Sequence, residues 1–225
     1  MPLRAVVFDF DGVIVDSEPL HFRALRDALA ASGVSITEQE YWSTYLAYDD
    51  RECIRVALET HGARPTPERV DEVEARKVAA FGRLVPEVPV FPGARELVRA
   101  LAGRVPIAIA SGARRDEIEA ILAGIGLRDA FSAVVGFEDA ARGKPDPAPY
   151  LEAARLLAAQ APSLAPAECA AIEDSVPGIL AARAAGMRVV GVAHSYEAAK
   201  LSPAHRVVDS LAGLGPDDFA ALFES

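Results

Sequence analysis

The sequence predicts an α/β fold, a mostly parallel sheet wrapped by helices, with a bundle of further helices inserted early in the chain. Three observations lead there. Short apolar runs recur along the chain, several ending in polar residues, as strands buried on both faces do. Helical patterns, with apolar residues three and four apart, separate these runs, and parallel strands need such long crossovers. The stretch from about Glu18 to Pro86 carries helical periodicity and no convincing strand.

Each element follows in order. The first run, Arg4-Ala5-Val6-Val7-Phe8-Asp9-Phe10-Asp11, is a strand whose end carries carboxylates. Helices are then expected at Pro19 to Ser32, Thr37 to Ala47, Asp50 to His61 and Pro67 to Leu84. Thr37 with Glu40 makes a capping-box pattern, and Thr66-Pro67 is an N-cap followed by proline at the first helical position. The proline-rich segment from Pro86 to Pro92 reads as a boundary. A core domain is therefore placed at 1–16 and 89–225, and a helical domain at 17–88. In the core, strands are expected at Val105 to Ala110, Ala133 to Gly136, Cys169 to Ile172 and Arg188 to Ala193. Their crossover helices are Ala94 to Leu101, Asp116 to Ile125, Ala148 to Ala159 and Pro177 to Ala185, with Gly103, Gly126 and Gly186 as stop signals.

The 225 residues suit one domain or a core with a smaller insertion, and 51% hydrophobic residues suffice for a buried core. With 33 acidic against 23 basic residues the net charge is −10, which disfavours nucleic acid and anionic membrane as partners. Cys53 and Cys169, far apart, give neither a metal spacing nor a disulfide framework, and read as half-buried free thiols. The apolar stretch after Arg4 is short and runs into acidic residues, unlike a secretory signal. No apolar run approaches the ~18 residues of a membrane span. A soluble, cytoplasmic protein is expected, monomeric or weakly self-associating.

Ligands of a parallel α/β sheet gather at the carboxyl ends of its strands. The residues just past those ends are Asp9 and Asp11, Ser111 and Gly112, and Glu173 and Asp174, with Lys144 in the loop after the third strand. Four carboxylates side by side cannot all ionise without a cation or partial protonation. All-oxygen ligands favour a hard ion, and Mg2+ typically takes one or two carboxylates together with substrate phosphate oxygens. With that ion and Lys144 offsetting repulsion between a carboxylate nucleophile and a phosphate, the residue types suit phosphoryl transfer, with Ser111 and the amides after it holding phosphoryl oxygens.

Asp9-Phe10-Asp11-Gly12-Val13, Ser111, Lys144 and Glu173-Asp174 resemble the four ordered motifs of the haloacid dehalogenase-like (HAD) superfamily, over essentially the whole chain. Gly143-Lys144-Pro145-Asp146-Pro147 and Glu173-Asp174-Ser175-Val176-Pro177-Gly178 are similar to the branch of β-phosphoglucomutase and many small-metabolite phosphatases. The resemblance implies a Rossmann-like core with a helical cap inserted after the first motif. It implies that Asp9 becomes an aspartyl-phosphate and that Asp11 serves as general acid and then base. It further implies Mg2+ on Asp9, the Asp11 carbonyl and Asp174, with Glu173 beside or within that shell.

Bland readings stand beside these. Ser111 reads as a helix N-cap as well as a phosphoryl ligand. Asp16 and Ser17 read as a turn or a cap for the helix at Pro19. His21, in His21-Phe22-Arg23-Ala24, is either an exposed or packed histidine or, by the resemblance, a link between cap and proton transfer. Arg51 and Lys77 are either solvated or, by the resemblance, on the substrate side of the cap. Gly12, Gly112, Ala113 and Arg114 complete the candidate substrate contacts, with Arg115 beside them. Ala113 stands where the mutase has a second serine, and this favours a phosphatase, whereas His21, Arg51 and Lys77 favour the mutase. His61, His194 and His205 read as structural or surface groups, and Trp42 as cap packing. The expected activity is hydrolysis of a small phosphorylated metabolite, a sugar phosphate above all, with a β-phosphoglucomutase-like transferase as the alternative. Two rivals carry less: a metal-free dehalogenase would leave Asp11 without a task, and a silent binding module would not need an intact motif set.

Overall fold

Four consecutive buried residues, Ala5–Phe8, form β1 in the computed structural model, which describes residues 2–45 and 48–224. The chain then enters four helices: α1 (Glu18–Ala30), α2 (Glu38–Glu40), α3 (Asp50–Thr60) and α4 (Pro67–Leu84). It continues through α5 (Ala94–Ala102), β2 (Ile107–Ala110), α6 (Arg115–Gly124), β3 (Ala133–Val135) and α7 (Ala148–Leu157). It ends with β4 (Cys169–Glu173), α8 (Val176–Ala184), β5 (Arg188–Val192), β6 (Arg206–Val208) and α9 (Pro216–Ala220). Contacts divide the chain into two compact units, 1–16 with 89–225, and 17–88.

In the larger unit the six strands are all parallel, in the order β3-β2-β1-β4-β5-β6. The order reverses direction at β1, and such a switch point opens a crevice at the strands' carboxyl ends. Small residues on the strands (Ala5, Ala108, Ala110, Ala171) leave room for α7 and α8 to pack closely, burying Tyr150, Leu157 and Ile179 against the sheet. Each of the five expected strands is present. The sixth, β6, carries too weak a signal: three residues, half-buried, at the sheet's edge. The five-residue α9 also went unpredicted.

In the smaller unit α4 packs along α1 and α3, around Phe22, Leu25, Leu29, Ile54, Leu58 and Val73. Helices α2, α3 and α4 start where side chains satisfy first-turn backbone N–H groups. Thr37 and Glu40 form the expected capping box, Asp49 accepts from Glu52 N at 3.0 Å, and Thr66 accepts from Arg69 N at 3.3 Å. The expected helix from Thr37 to Ala47 is corrected: α2 ends at Glu40 and a π-helical turn, Tyr41–Tyr45, follows. The wider turn buries Tyr41 and Tyr45, while Trp42, at the surface, packs one side edge-on against Tyr41. The last two residues of that expected helix, Leu46 and Ala47, lie outside the described residues. Cys53 and Cys169 are free but fully buried rather than half-buried, and burial pushes both thiols up to about 12. Among the described residues no helix is long and apolar enough to cross a membrane.

Gly93 opens α5 at φ +83°, and a Cβ there would overlap the backbone of Ala212. Gly93→Ala is therefore expected to destabilise the fold by more than about 1 kcal/mol, seen as a lower urea midpoint. An unchanged midpoint would mean that the Ala212 loop yields.

Candidate active site

Register builds the site. Phe8 pairs with Ile172 across β1 and β4, and the Asp9 amide donates to the Ile172 carbonyl at 2.9 Å. The next residues on the two strands, Asp9 and Glu173, consequently emerge side by side, with Asp174 following. Among the described residues, Asp9, Glu173 and Asp174 form a group whose carboxylate oxygens lie within 4.8 Å of one another, and all three are buried. Lys144, from the loop before α7, reaches Asp9 Oδ1 at 2.8 Å and Glu173 Oε1 at 2.6 Å. Ser111, past the end of β2, is buried as well, its amide donating to Val135 O.

The chain folds locally so that this crowding is possible. Gly12 has φ +78°, and a Cβ there would overlap Asp174 Oδ2. Gly178, on the first turn of α8, presents no Cβ where one would overlap the Glu173 carboxylate. Ser175 caps α8, accepting from Gly178 N at 3.1 Å while donating from its hydroxyl to Glu173 Oε2 at 2.9 Å. Neither Glu173 nor Asp174 is therefore the helix cap. Ser111 is not one either, since α6 is capped at Arg114. The Ser111 hydroxyl accepts instead from Ala113 N at 3.1 Å, closing the loop that carries Gly112 and Ala113.

One ammonium faces three carboxylates, and the proton affinities follow. Burial raises the Asp9 carboxyl well above its ordinary value; Lys144 opposes this while Glu173 and Asp174 add to it. Burial likewise raises Asp174 to about 6, against a hydrogen bond from Ser195. Burial alone would discharge Lys144, but Asp9 and Glu173 outweigh it and hold the ammonium above its usual range. Such an oxygen-rich set with excess negative charge suits a hard divalent cation. Glu173 lies within the group by distance, yet both its oxygens are already engaged by protein donors: Lys144 and the Tyr150 hydroxyl (2.8 Å) on Oε1, Ser175 N and Oγ on Oε2. The Asp11 carboxylate, half-buried in the turn after β1, is outside the group.

A family model described as a haloacid dehalogenase-like hydrolase matches residues 3–186. This chain belongs to that family. Hexitol phosphatase B of Escherichia coli K12 is 35% identical to it over 195 residues, covering 84% of this chain and 83% of that one. A crystal structure of CbbY from Rhodobacter sphaeroides in complex with phosphate superposes with a TM-score of 0.80 at 27% identity, covering 96% and 99% of the two chains. A putative β-phosphoglucomutase from Thermotoga maritima superposes at 0.77 with 28% identity, covering 99% of each chain. The expected class, a HAD-like phosphatase with a Rossmann-like α/β core, holds.

The remaining candidates of this HAD hydrolase divide by unit. On the core loop, Gly112 is exposed and Ala113 half-buried, whereas Arg114 is turned to Asp116 and Arg115 to Asp139. In the helical unit Arg51 is exposed and paired with Asp71 and Glu74. Solvent screens such exposed pairs, so they do not hold Arg51 firmly. Lys77 corrects the solvated alternative: it is 1% exposed, with its ammonium 2.5 Å from Asp50 Oδ2 and 2.9 Å from His21 Nδ1. His21 stacks on Phe81 at 4.2 Å. Sequence reading missed Tyr150, Ser195 and the role of His194, whose Nδ1 lies 2.9 Å from the Gly12 carbonyl. Tyr150 sits at an apolar position of its helix and reads as core. The signal that could have found it is its place six residues after Lys144, on the helix that the lysine's loop leads into.

Burial pushes His21 down to about 3, with Lys77 adding to the effect and Asp50 opposing it. The folded value thus lies below the unfolded 6.5, and between the two the unfolded chain binds more protons. Stability is then full above pH 6.5 and falls as pH drops towards 3. Urea melts should show the wild-type midpoint dropping more steeply than that of His21→Gln between about pH 7 and about pH 5. Parallel slopes would show that His21 is solvated.

Proposed function

We propose that this enzyme is a Mg2+-dependent phosphohydrolase acting on a small phosphorylated metabolite, a sugar or polyol phosphate, through an aspartyl-phosphate on Asp9. The observation that carries the reading is the Asp9–Lys144–Glu173 contact beside Asp174: a strand-end carboxylate, a fixed counter-charge and a donor set short of positive charge. The kinship with hexitol phosphatase B supports a polyol or sugar phosphate as substrate.

In the first step an Asp9 carboxylate oxygen attacks phosphorus, the ester P–O bond breaks, and Asp11 gives its proton to the leaving oxygen. In the second, water attacks the same phosphorus, Asp11 takes the water's proton, and the acyl-phosphate bond breaks to release inorganic phosphate and free Asp9. Ser111 and the backbone amides of Gly112 and Ala113 hold the phosphoryl oxygens, and Lys144 offsets their charge. Asp9, the Asp11 carbonyl and Asp174 would hold the magnesium ion, with Glu173 beside it, and Gly12 keeps the space next to Asp174 clear. When bound, the ion supplies positive charge that lets an anionic phosphate approach a carboxylate.

The likeness to a putative β-phosphoglucomutase and the buried Lys77, held by Asp50 and His21, support a second reading, in which a sugar hydroxyl replaces water in the second step. Ala113, with no hydroxyl to offer, favours the hydrolase. Incubation with β-glucose 1-phosphate, Mg2+ and a bisphosphate primer separates the two: free phosphate supports hydrolysis, and glucose 6-phosphate supports the mutase. Asp9→Asn is expected to lose at least about a thousandfold in kcat with its thermal midpoint retained, as removing a nucleophile does. Near wild-type turnover in that variant would remove Asp9 from the role.

A further inference from the structure

Tyr150 is fully buried, in the first turn of α7, where a phenol needs a partner for its hydroxyl. That partner is Glu173 Oε1, 2.8 Å away, the same oxygen that accepts from Lys144. Ser175 supplies two further donors to Oε2, at 3.0 Å from its amide and 2.9 Å from its hydroxyl. A carboxylate offers about four acceptor sites, so Glu173 has no capacity left for substrate. Whatever Glu173 contributes must pass through Lys144, whose ammonium continues to Asp9. The Tyr150 ring also faces that ammonium, with Nζ 5.3 Å from the ring centroid.

We propose that Tyr150 is a positioning residue for phosphoryl transfer: its hydroxyl locks the Glu173 carboxylate so that Lys144 is held against the nucleophile Asp9. The inference rests on the reading of Asp9 given above. A lysine ammonium is a rotatable point charge on a flexible four-carbon stem, and it is only as well placed as the groups that anchor it. Without the phenol hydroxyl, Oε1 keeps Lys144 as its sole donor. The carboxylate can then turn about the Ser175 contacts, carrying the ammonium away from Asp9. Ring packing and the cation–π contact survive in Tyr150→Phe, so that variant isolates the hydroxyl.

The test is a double-mutant cycle on turnover of an aryl phosphate with Mg2+. Tyr150→Phe should lower kcat about tenfold with KM within about twofold, the size expected for a partner that orients a reacting group. In a Glu173→Ala background, where the oxygen that Tyr150 anchors is gone, the same substitution should change kcat less than about twofold. Should Tyr150→Phe alone fail to fold, the comparison within the Glu173→Ala background still stands, and a further tenfold loss there overturns the proposal. Wild-type kcat in Tyr150→Phe, or equal losses in both backgrounds, would likewise overturn it while leaving the phosphatase reading intact. A wild type that turns over no phosphate monoester overturns both.

Discussion

Phe8 lies in register with Ile172, and the chemistry at the carboxyl edge of the sheet depends on that pairing. A parallel sheet brings together residues more than 160 positions apart in sequence and aims their side chains at one crevice. The consequence is a concentration of negative charge that water alone would not tolerate in so buried a place. Lys144 meets part of it, and the raised proton affinities of Asp9 and Asp174 register the remainder. The strain is electrostatic: three buried carboxylates share one ammonium.

The three carboxylates are not equivalent. Glu173 is enclosed by four protein donors and stands with the packing of α7 and α8. Asp9 and Asp174 have fewer protein partners and keep capacity for a ligand. Two glycines make that division possible: Gly12 clears the space at Asp174 and Gly178 the space at Glu173. The helical unit has its own ionic group, in which buried Lys77 is committed to half-exposed Asp50 and to His21, whereas Arg51, itself exposed, pairs with exposed Asp71 and half-buried Glu74.

Much of this was legible from the residues. Short continuous apolar runs located five strands, and the residues beyond those runs located Asp9, Ser111, Glu173 and Asp174, because strand polarity fixes where an edge residue emerges. β6 escaped because a short, half-buried edge strand has neither a continuous apolar run nor a clean alternation. The π-helical turn at Tyr41–Tyr45 escaped because aromatic residues there satisfy an ordinary helical pattern. Tyr150 escaped for a different reason: periodicity reports which face is buried, not which buried atom is polar. Lys77 was misjudged as a candidate for solvation because its partners, Asp50 and His21, lie 27 and 56 residues away in sequence.

The central claim is that Asp9 and Asp174 together form the seat of a divalent cation. Calorimetric titration of Mg2+ into the wild type and into Asp174→Asn tests it most directly. The account predicts one ion per chain in the wild type and an affinity at least about tenfold weaker in the variant. Equal affinity in the two proteins would contradict it.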